Sequence, residues 1–439
     1  MRSALALPVR IAWIVAISVN GLGIPGAVSQ AESPSPSRAA TPITLQAVVA
    51  DVLARNPELR FYESEIASAG GERQTAEAWQ NPELSMAVGQ KEVTVGPLSD
   101  EGLAWGVSVQ QTFPWPGRIS LRKAIADRQM QLAELGLARF KGSLASRARL
   151  LAYTVFSAQE KSAAAGDVAE RFRQLRQVLV QRDPAGLTPQ LEMRIIEATE
   201  LTLQRRASDA ELSVESALLE LNQLRGESWT TVVTLQPVKL EFEPAPDNET
   251  LLAAAQTSNF DLQIRRAELE QQGFRVDLAR KEGSPSITVA PYYTEEHAAG
   301  REQQFGVGVS LALPLWNRNR GGVAAAEARR LQAETSLQVA QRDVDRQVLS
   351  TALTYRTKLN EMRKWHPHSI EEFRKAAELA DRHYRLGAVP ITTYVELQKQ
   401  YLEAVEALLD TRREALEAGQ QLQLLTGIDI NRGTTSVQP

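Results

Sequence analysis

Two stretches, "FPWPGRISLRKA" (113–124) and "LPLWNRNRGGVA" (313–324), share one plan. Each leaves an alternating, strand-like run through Pro and Trp, passes an Arg, and enters a long charged helical pattern. The echo is one part of a tandem repeat, the feature to seek before any other. Asn56, Leu59 and Pro82 match Asn259, Leu262 and Pro285 at an offset of 203. Gly106, Val107, Val109, Pro114, Arg118, Ala133, Glu134 and Leu137 match Gly306, Val307, Val309, Pro314, Arg318, Ala333, Glu334 and Leu337 at 200. Gly186, Pro189, Leu224 and Gly226 then match Gly387, Pro390, Leu425 and Gly427 at 201. The slip from 203 to 200 falls between two strands, so the second copy has the shorter loop.

Each repeat reads helix, strand, strand, long helix, helix. The first helix pattern covers 44–78 and recurs at 248–281. The segments 118–182 and 318–384 are rich in Ala, Leu, Glu, Gln and Arg, all good helix formers. At 1.5 Å per residue each reaches about 100 Å, a length suited to coiled coils and tubes. Gly166 and Pro367 stand one residue apart in the aligned repeats and predict a bend in each. The turns "RDPAGLTPQ" (182–190) and "YRLGAVPIT" (384–392) return the chain into helices over 190–224 and 391–425.

The strand patterns cover 82–94, 103–113, 285–294 and 304–313. In "WGVSVQQTF" Trp105, Val107, Val109 and Phe113 fall on one face, with Gly106, Ser108, Gln110 and Thr112 on the other. In "FGVGVSLAL" the alternation is cleaner still, Phe305, Val307, Val309, Leu311 and Leu313 against Gly306, Gly308, Ser310 and Ala312. Segments of about ten residues with period two are the signature of an outer-membrane barrel strand. A soluble antiparallel sandwich alternates in the same way, but has no use for the long helices. The loops at 94–102 and 295–303 are acidic or polar, as a cell-exterior loop should be. On this reading Phe113, Trp115 and Trp316 mark where strand leaves lipid, with Arg118 and Arg318 at headgroup level. Four strands cannot close a barrel with a usable lumen. Three copies supply twelve strands, and cyclic symmetry closes the ring.

The remaining composition agrees. Residues 1–31 carry two Arg, the apolar run "IAWIVAISVNGLGIPGAV" and small residues at Ser29 and Ala31, which predicts a secretory signal peptide. Without it, 47 bases face 53 acids, an acidic balance that argues against a nucleic-acid partner. There is no Cys, so disulfides, thiolate metal sites and a Cys nucleophile are excluded. Beyond the signal no run approaches the ~18 apolar residues of a membrane helix. The domain plan is 1–31 signal, 32–43 extended segment, 44–229 first repeat, 230–247 linker, 248–428 second repeat and 429–439 tail.

No active site, cofactor site or metal site is legible. His297, His366, His368 and His383 are scattered, and "HPH" sits in a charged context better suited to a surface or a bend. No nucleophile elbow is present, and catalysis is not expected.

The duplicated plan, "LPLWNRNRGG" and "HYRLGAVPITTYVELQKQYLEA" (383–404) resemble the TolC-like outer membrane efflux family. The Pro-Trp-Pro-Gly-Arg form of the first junction is most similar to its heavy-metal cation-efflux branch. The resemblance covers about 42–430 and implies a mainly α protein with a membrane β-barrel. That is a trimeric 12-stranded barrel, four strands per chain, continuing into an α-helical periplasmic tunnel. It implies a homotrimer in outer-membrane lipid that meets a periplasmic adaptor protein and an inner-membrane pump of the resistance-nodulation-division type. It also implies that Gly186, Leu187, Thr188, Pro189, Leu386, Gly387, Ala388 and Val389 form the adaptor-docking tips. The family's aperture is lined by acidic residues just past the second turn. Aligning Gly387 with the tip glycine puts Thr393 and Glu396 there, and the non-acidic Thr393 leaves Glu192 as a further lining candidate. The same plan serves ducts for drugs or for exported proteins. A periplasmic coiled-coil adaptor would not duplicate paired barrel strands, and a secreted enzyme would show a convergent site.

Overall fold

The computed structural model describes residues 43–95, 98–182, 187–231, 233–236, 240–298, 300–365 and 369–430. The signal, the first extended segment up to residue 42 and the tail from 431 lie outside the described residues. The first repeat runs α1 (Leu45–Arg55), α2 (Leu59–Glu77), β1 (Glu83–Val95), β2 (Leu98–Phe113), α3 (Arg118–Arg182) and α4 (Leu187–Arg225). The second runs α5 (Asn248–Ser258), α6 (Phe260–Glu282), β3 (Ile287–Glu296), β4 (Glu302–Leu311), α7 (Arg320–Arg363), α8 (Ser369–Arg385) and α9 (Ile391–Thr426). No helix among the described residues is long and apolar enough to cross a membrane.

Local chemistry sets where the helices break. Each first helix pattern is split in two, at Asn56–Pro57 and at Asn259. Proline disfavours helical backbone in the residue before it, which ends α1. The Asn259 side chain caps α6 by accepting from the Leu262 N–H at 3.1 Å, and it donates to the Leu425 carbonyl at 3.1 Å. Asn56 repeats the device, accepting from the Glu58 N–H and donating to the Leu224 carbonyl, both at 2.9 Å. The matched pairs Asn56/Asn259 and Leu224/Leu425 are thus one tie built twice. Gly226 and Gly427 follow those carbonyls with φ of 64° and 72°, left-handed caps that an L side chain resists.

The long helices differ. The first is a single helix of 65 residues that passes straight through Gly166, where Ala164, Ala165 and Val168 are buried on either side. Packing there offsets the ~1 kcal/mol that glycine costs a helix. The second is interrupted, as α7 stops at Arg363 and α8 begins at Ser369, on either side of Pro367. A helix cannot donate from proline or fit its ring against the preceding turn. Pro367, with His366 and His368, lies outside the described residues.

The sheet is antiparallel in the order β1-β2-β3-β4. Its first hairpin is longer than the sequence reading allowed. Lys91↔Gly102, Glu92↔Glu101 and Val93↔Asp100 are paired, with Ser99 Oγ donating to Glu92 at 2.9 Å. The acidic composition of 94–102 looked like loop, but the ladder satisfies the backbone and the side chains stay solvated.

The core is duplicated too. Val52, Leu59, Ala148, Ala152, Val155 and Leu221 are buried in one cluster. Their equivalents Ala255, Leu262, Val348, Ala352, Tyr355 and Leu422 are buried in another. At ~1.5–3 kcal/mol per fully buried large apolar side chain, each cluster holds its helices together independently. A third cluster, with Phe172, Ile196, Tyr394 and Leu402, joins α3 and α4 to α9, so it ties the two repeats to each other. The linker straps the second repeat: Tyr355 Oη donates to the Glu243 carbonyl at 2.7 Å and Arg356 Nη2 to the Pro246 carbonyl at 2.5 Å.

Candidate functional site: the two-faced sheet and the helix turns

Strand register turns four separate alternations into one surface. Leu84 pairs with Val109, Met86 with Val107 and Val88 with Trp105. Val107 pairs in turn with Tyr293, and Tyr293 with Phe305, while Val289 pairs with Val309 and Ile287 with Leu311. Every one of these side chains points to the same face. That face is open: Val88, Phe305 and Val309 are 75%, 86% and 70% exposed. Isolated exposed apolar residues are ordinary, but a contiguous band across four strands marks an interaction surface. The opposite face carries Ser85, Ala87, Gly106, Ser108, Thr112, Thr288 and Ser310. Thr112 and Thr288 join hydroxyls at 3.0 Å across it. A sandwich would cover the apolar face with a second sheet, and among the described residues there is none.

The junction residues lie below this band. Phe113 and Trp115 are partly exposed and Trp316 is 93% exposed. Trp79, which the sequence reading passed over, stands edge-on to Phe113 with ring centroids 5.5 Å apart. Its signal was there, a Trp between the end of a helix and the start of a strand. The two Arg diverge. Arg118 turns to the neighbouring repeat. Its guanidinium donates to the Lys281 carbonyl at 3.0 Å, the Glu282 carbonyl at 3.1 Å, the Ser284 carbonyl and Ser286 Oγ at 2.9 Å. It caps the carbonyl end of α6, where a cation is favoured. Arg318 is exposed and meets no carbonyl or carboxylate among the described residues.

At the other end of the helices are the turns. Gly186 falls outside the described residues. Leu187, Thr188 and Pro189 form the first turn of α4, where proline's missing N–H costs nothing. The second turn is fully described. Gly387 has φ 74°, its N–H donates to the Tyr384 carbonyl at 2.9 Å, and the Ala388 N–H donates to the His383 carbonyl at 2.9 Å. This paired closure ends α8, and Pro390 opens α9. Leu386 is 76% exposed, Ala388 is exposed and Val389 is half-buried.

Behind that turn stands an aromatic stack. Tyr384 lies parallel to Tyr394 at 5.3 Å, and Tyr394 packs on Phe172 at 5.1 Å. Tyr384 Oη donates to Glu192 at 3.2 Å, and Tyr394 Oη donates to Asp381 at 3.2 Å. Asp381 also accepts from Arg385 Nε at 2.9 Å. Burial, then the Glu192 charge, pushes the Tyr384 hydroxyl up to about 12. Burial and Asp381 raise Tyr394 as well. Of the aperture candidates, Glu192 is half-buried under this bond, whereas Thr393 and Glu396 are exposed on α9. Glu396 accepts from Gln400 at 2.8 Å. Tyr384, Tyr394 and Asp381 were missed by sequence reasoning, although two Tyr flanking a Gly-Pro turn are visible in "HYRLGAVPITTY".

Residues 251–428, the second repeat, match the family described as outer membrane efflux protein. The chain is 25% identical over 300 residues to the cobalt-zinc-cadmium resistance protein CzcC of Cupriavidus metallidurans, covering 66% of this chain and 68% of that one. It is 23% identical over 293 residues to the nickel-cobalt-cadmium resistance protein NccC of Alcaligenes xylosoxydans, covering 65% and 64%. Its fold superposes on the Campylobacter jejuni outer membrane channel CmeC with a TM-score of 0.69 at 14% identity, covering 89% of this chain and 87% of that one. The likeness in fold therefore spans both repeats, beyond the segment the family match covers.

Proposed function

We propose that this protein is the passive outer-membrane exit duct of a tripartite heavy-metal efflux system. The observation that carries the channel is the apolar band on one face of a four-stranded sheet whose two edges, β1 and β4, are open. An open edge cannot persist in lipid, because each unpaired backbone group costs several kcal/mol there. Three copies joined edge to edge close a twelve-stranded barrel with the band outward and the Ser-, Thr- and Gly-rich face around the lumen. The long helices continue that ring into the periplasm.

The cargo follows from CzcC and NccC, both named for resistance to cobalt, cadmium and a third metal. Energy comes from an inner-membrane pump, and a periplasmic adaptor joins pump to duct by docking on the turns. Exposed Leu386 and Ala388 offer an apolar knob at one such turn. Exposed Glu396, three times repeated around a narrow aperture, attracts cations and disfavours closure by mutual repulsion.

The test has two arms. Detergent-extracted outer membranes should hold a trimer that yields monomer only on heating. Deleting the gene should make cells sensitive to cobalt, zinc or cadmium, and restoring it should reverse this. A detergent-independent monomer sinks the duct; a normal trimer with unchanged metal tolerance sinks only the cargo.

A further inference from the structure

The two halves of the repeat treat one arginine differently, and the difference points to a second copy of this chain. Arg118 at the start of α3 clamps the far end of α6 through the carbonyls of Lys281, Glu282 and Ser284 and the Ser286 hydroxyl. It therefore joins neighbouring repeats, not elements within one repeat. Arg318 is its equivalent after β4 and meets no such neighbour among the described residues. The repeat supplies the missing geometry. Moving Arg118 on by 200 gives Arg318, and moving its partners back by 203 gives Ala78, Trp79, Asn81 and Glu83.

We infer that Arg318 clamps the carbonyl end of α2 in a second copy of this chain, and that the second copy's Glu83 takes the place of Ser286. The substitution of carboxylate for hydroxyl matters, because it turns a hydrogen bond with one charged partner into an ion pair between guanidinium and carboxylate. Glu83 is exposed and, among the described residues, carries no bond to satisfy it. The proposal rests on the trimeric duct proposed above and adds the contact that fixes its seam.

Two further features fit the same displacement. Phe113↔Ile287 in the β2–β3 ladder becomes Leu313 against the second copy's Leu84, and Gln111↔Val289 becomes Leu311 against Met86. Both put apolar side chains on the lipid face. Between helices, Gln271 Nε2 donates to Gln129 Oε1 at 3.0 Å across α6 and α3. Displaced by 200 and 203, this pair becomes Arg329 of α7 against the second copy's Ser68, two groups that can again share a hydrogen bond.

The experiment is a double-mutant cycle on the full-length trimer in detergent, read as the temperature at which trimer gives way to monomer. Arg318→Ala and Glu83→Ala should each lower that temperature, and the double variant should fall no further than Arg318→Ala alone. Glu83→Ser, which copies Ser286, should lose less than Glu83→Ala. Additive losses, or an unchanged Arg318→Ala, overturn the clamp. The absence of Cys allows a clean check of the frame. Met86→Cys with Leu311→Cys should give disulfide-linked subunits on oxidation, whereas Met86→Cys with Gly308→Cys, out of register and on opposite faces, should not. If the first pair links but the cycle is additive, only the clamp fails. A trimer that links in the second pair and not the first has the wrong register and overturns the inference. No trimer at all overturns the duct together with it.

Discussion

Tyr384 shows how a single side chain reports on the tip. Its ring stacks on Tyr394 and its hydroxyl holds Glu192, so one residue of α8 ties α9 to α4 across the two turns. Its folded pKa is raised to about 12 from an ordinary tyrosine value near 10. The stability this lends is fully present below pH ~10 and is lost as pH rises through the folded value, because the unfolded chain ionises first. Alkaline titration of the detergent-solubilised protein, followed by near-ultraviolet circular dichroism, should therefore show the aromatic signal declining between pH ~10 and ~12. Tyr384→Phe keeps the ring and removes the ionisation, so its decline should be shallower; an identical curve would assign the titration elsewhere. At the other end of each repeat, Asn259→Ala removes both a cap and a tie to the Leu425 carbonyl, which is left buried. The expected cost is about 1–3 kcal/mol, measured as a lowered denaturant midpoint with an unchanged slope.

At the scale of elements, the alternation of the strands and the propensity of the helices were legible in the sequence because each is a local, periodic signal. The offsets of 203, 200 and 201 likewise carried over into a duplicated core. What was not legible depended on packing partners far away in sequence. The acid-rich run 94–102 does not announce that a facing strand will pair with it. Gly166 and Pro367 look equally disruptive in a string of letters, yet only proline removes a donor and adds a clash. The partners of Arg118 were not legible because its α6 carbonyls lie more than 160 residues away. Two glycine variants test this contrast. Gly166→Ala has nothing within 4 Å of the new Cβ, so it should raise the unfolding midpoint by the equivalent of about 0.5–1 kcal/mol. Gly387→Ala also meets open space but is forced to φ 74°, and should cost about 1–2 kcal/mol. If both variants were stabilising, the left-handed turn at the end of α8 would be wrong.

For the whole molecule, the decisive claim is which face of the sheet meets lipid. The register puts Val307 and Val309 on the band and Gly308 and Ser310, their immediate neighbours, on the other face. A soluble protein would treat charges at all four positions alike, since all are at least partly open to solvent in the single chain. A barrel wall does not. Arg near the bilayer midplane costs about 2–4 kcal/mol on the lipid face, whereas lumen positions tolerate charge and change selectivity. Val309→Arg should therefore reduce heat-resistant trimer in the outer membrane. Ser310→Arg, one residue away, should leave trimer yield near that of the parent while altering conductance in planar bilayers through added positive charge in the lumen. Three lumen arginines in a cation duct oppose the cargo directly, so cells carrying Ser310→Arg should also lose metal tolerance while keeping the trimer. The reverse pattern, with Ser310→Arg abolishing the trimer and Val309→Arg harmless, would turn the sheet inside out.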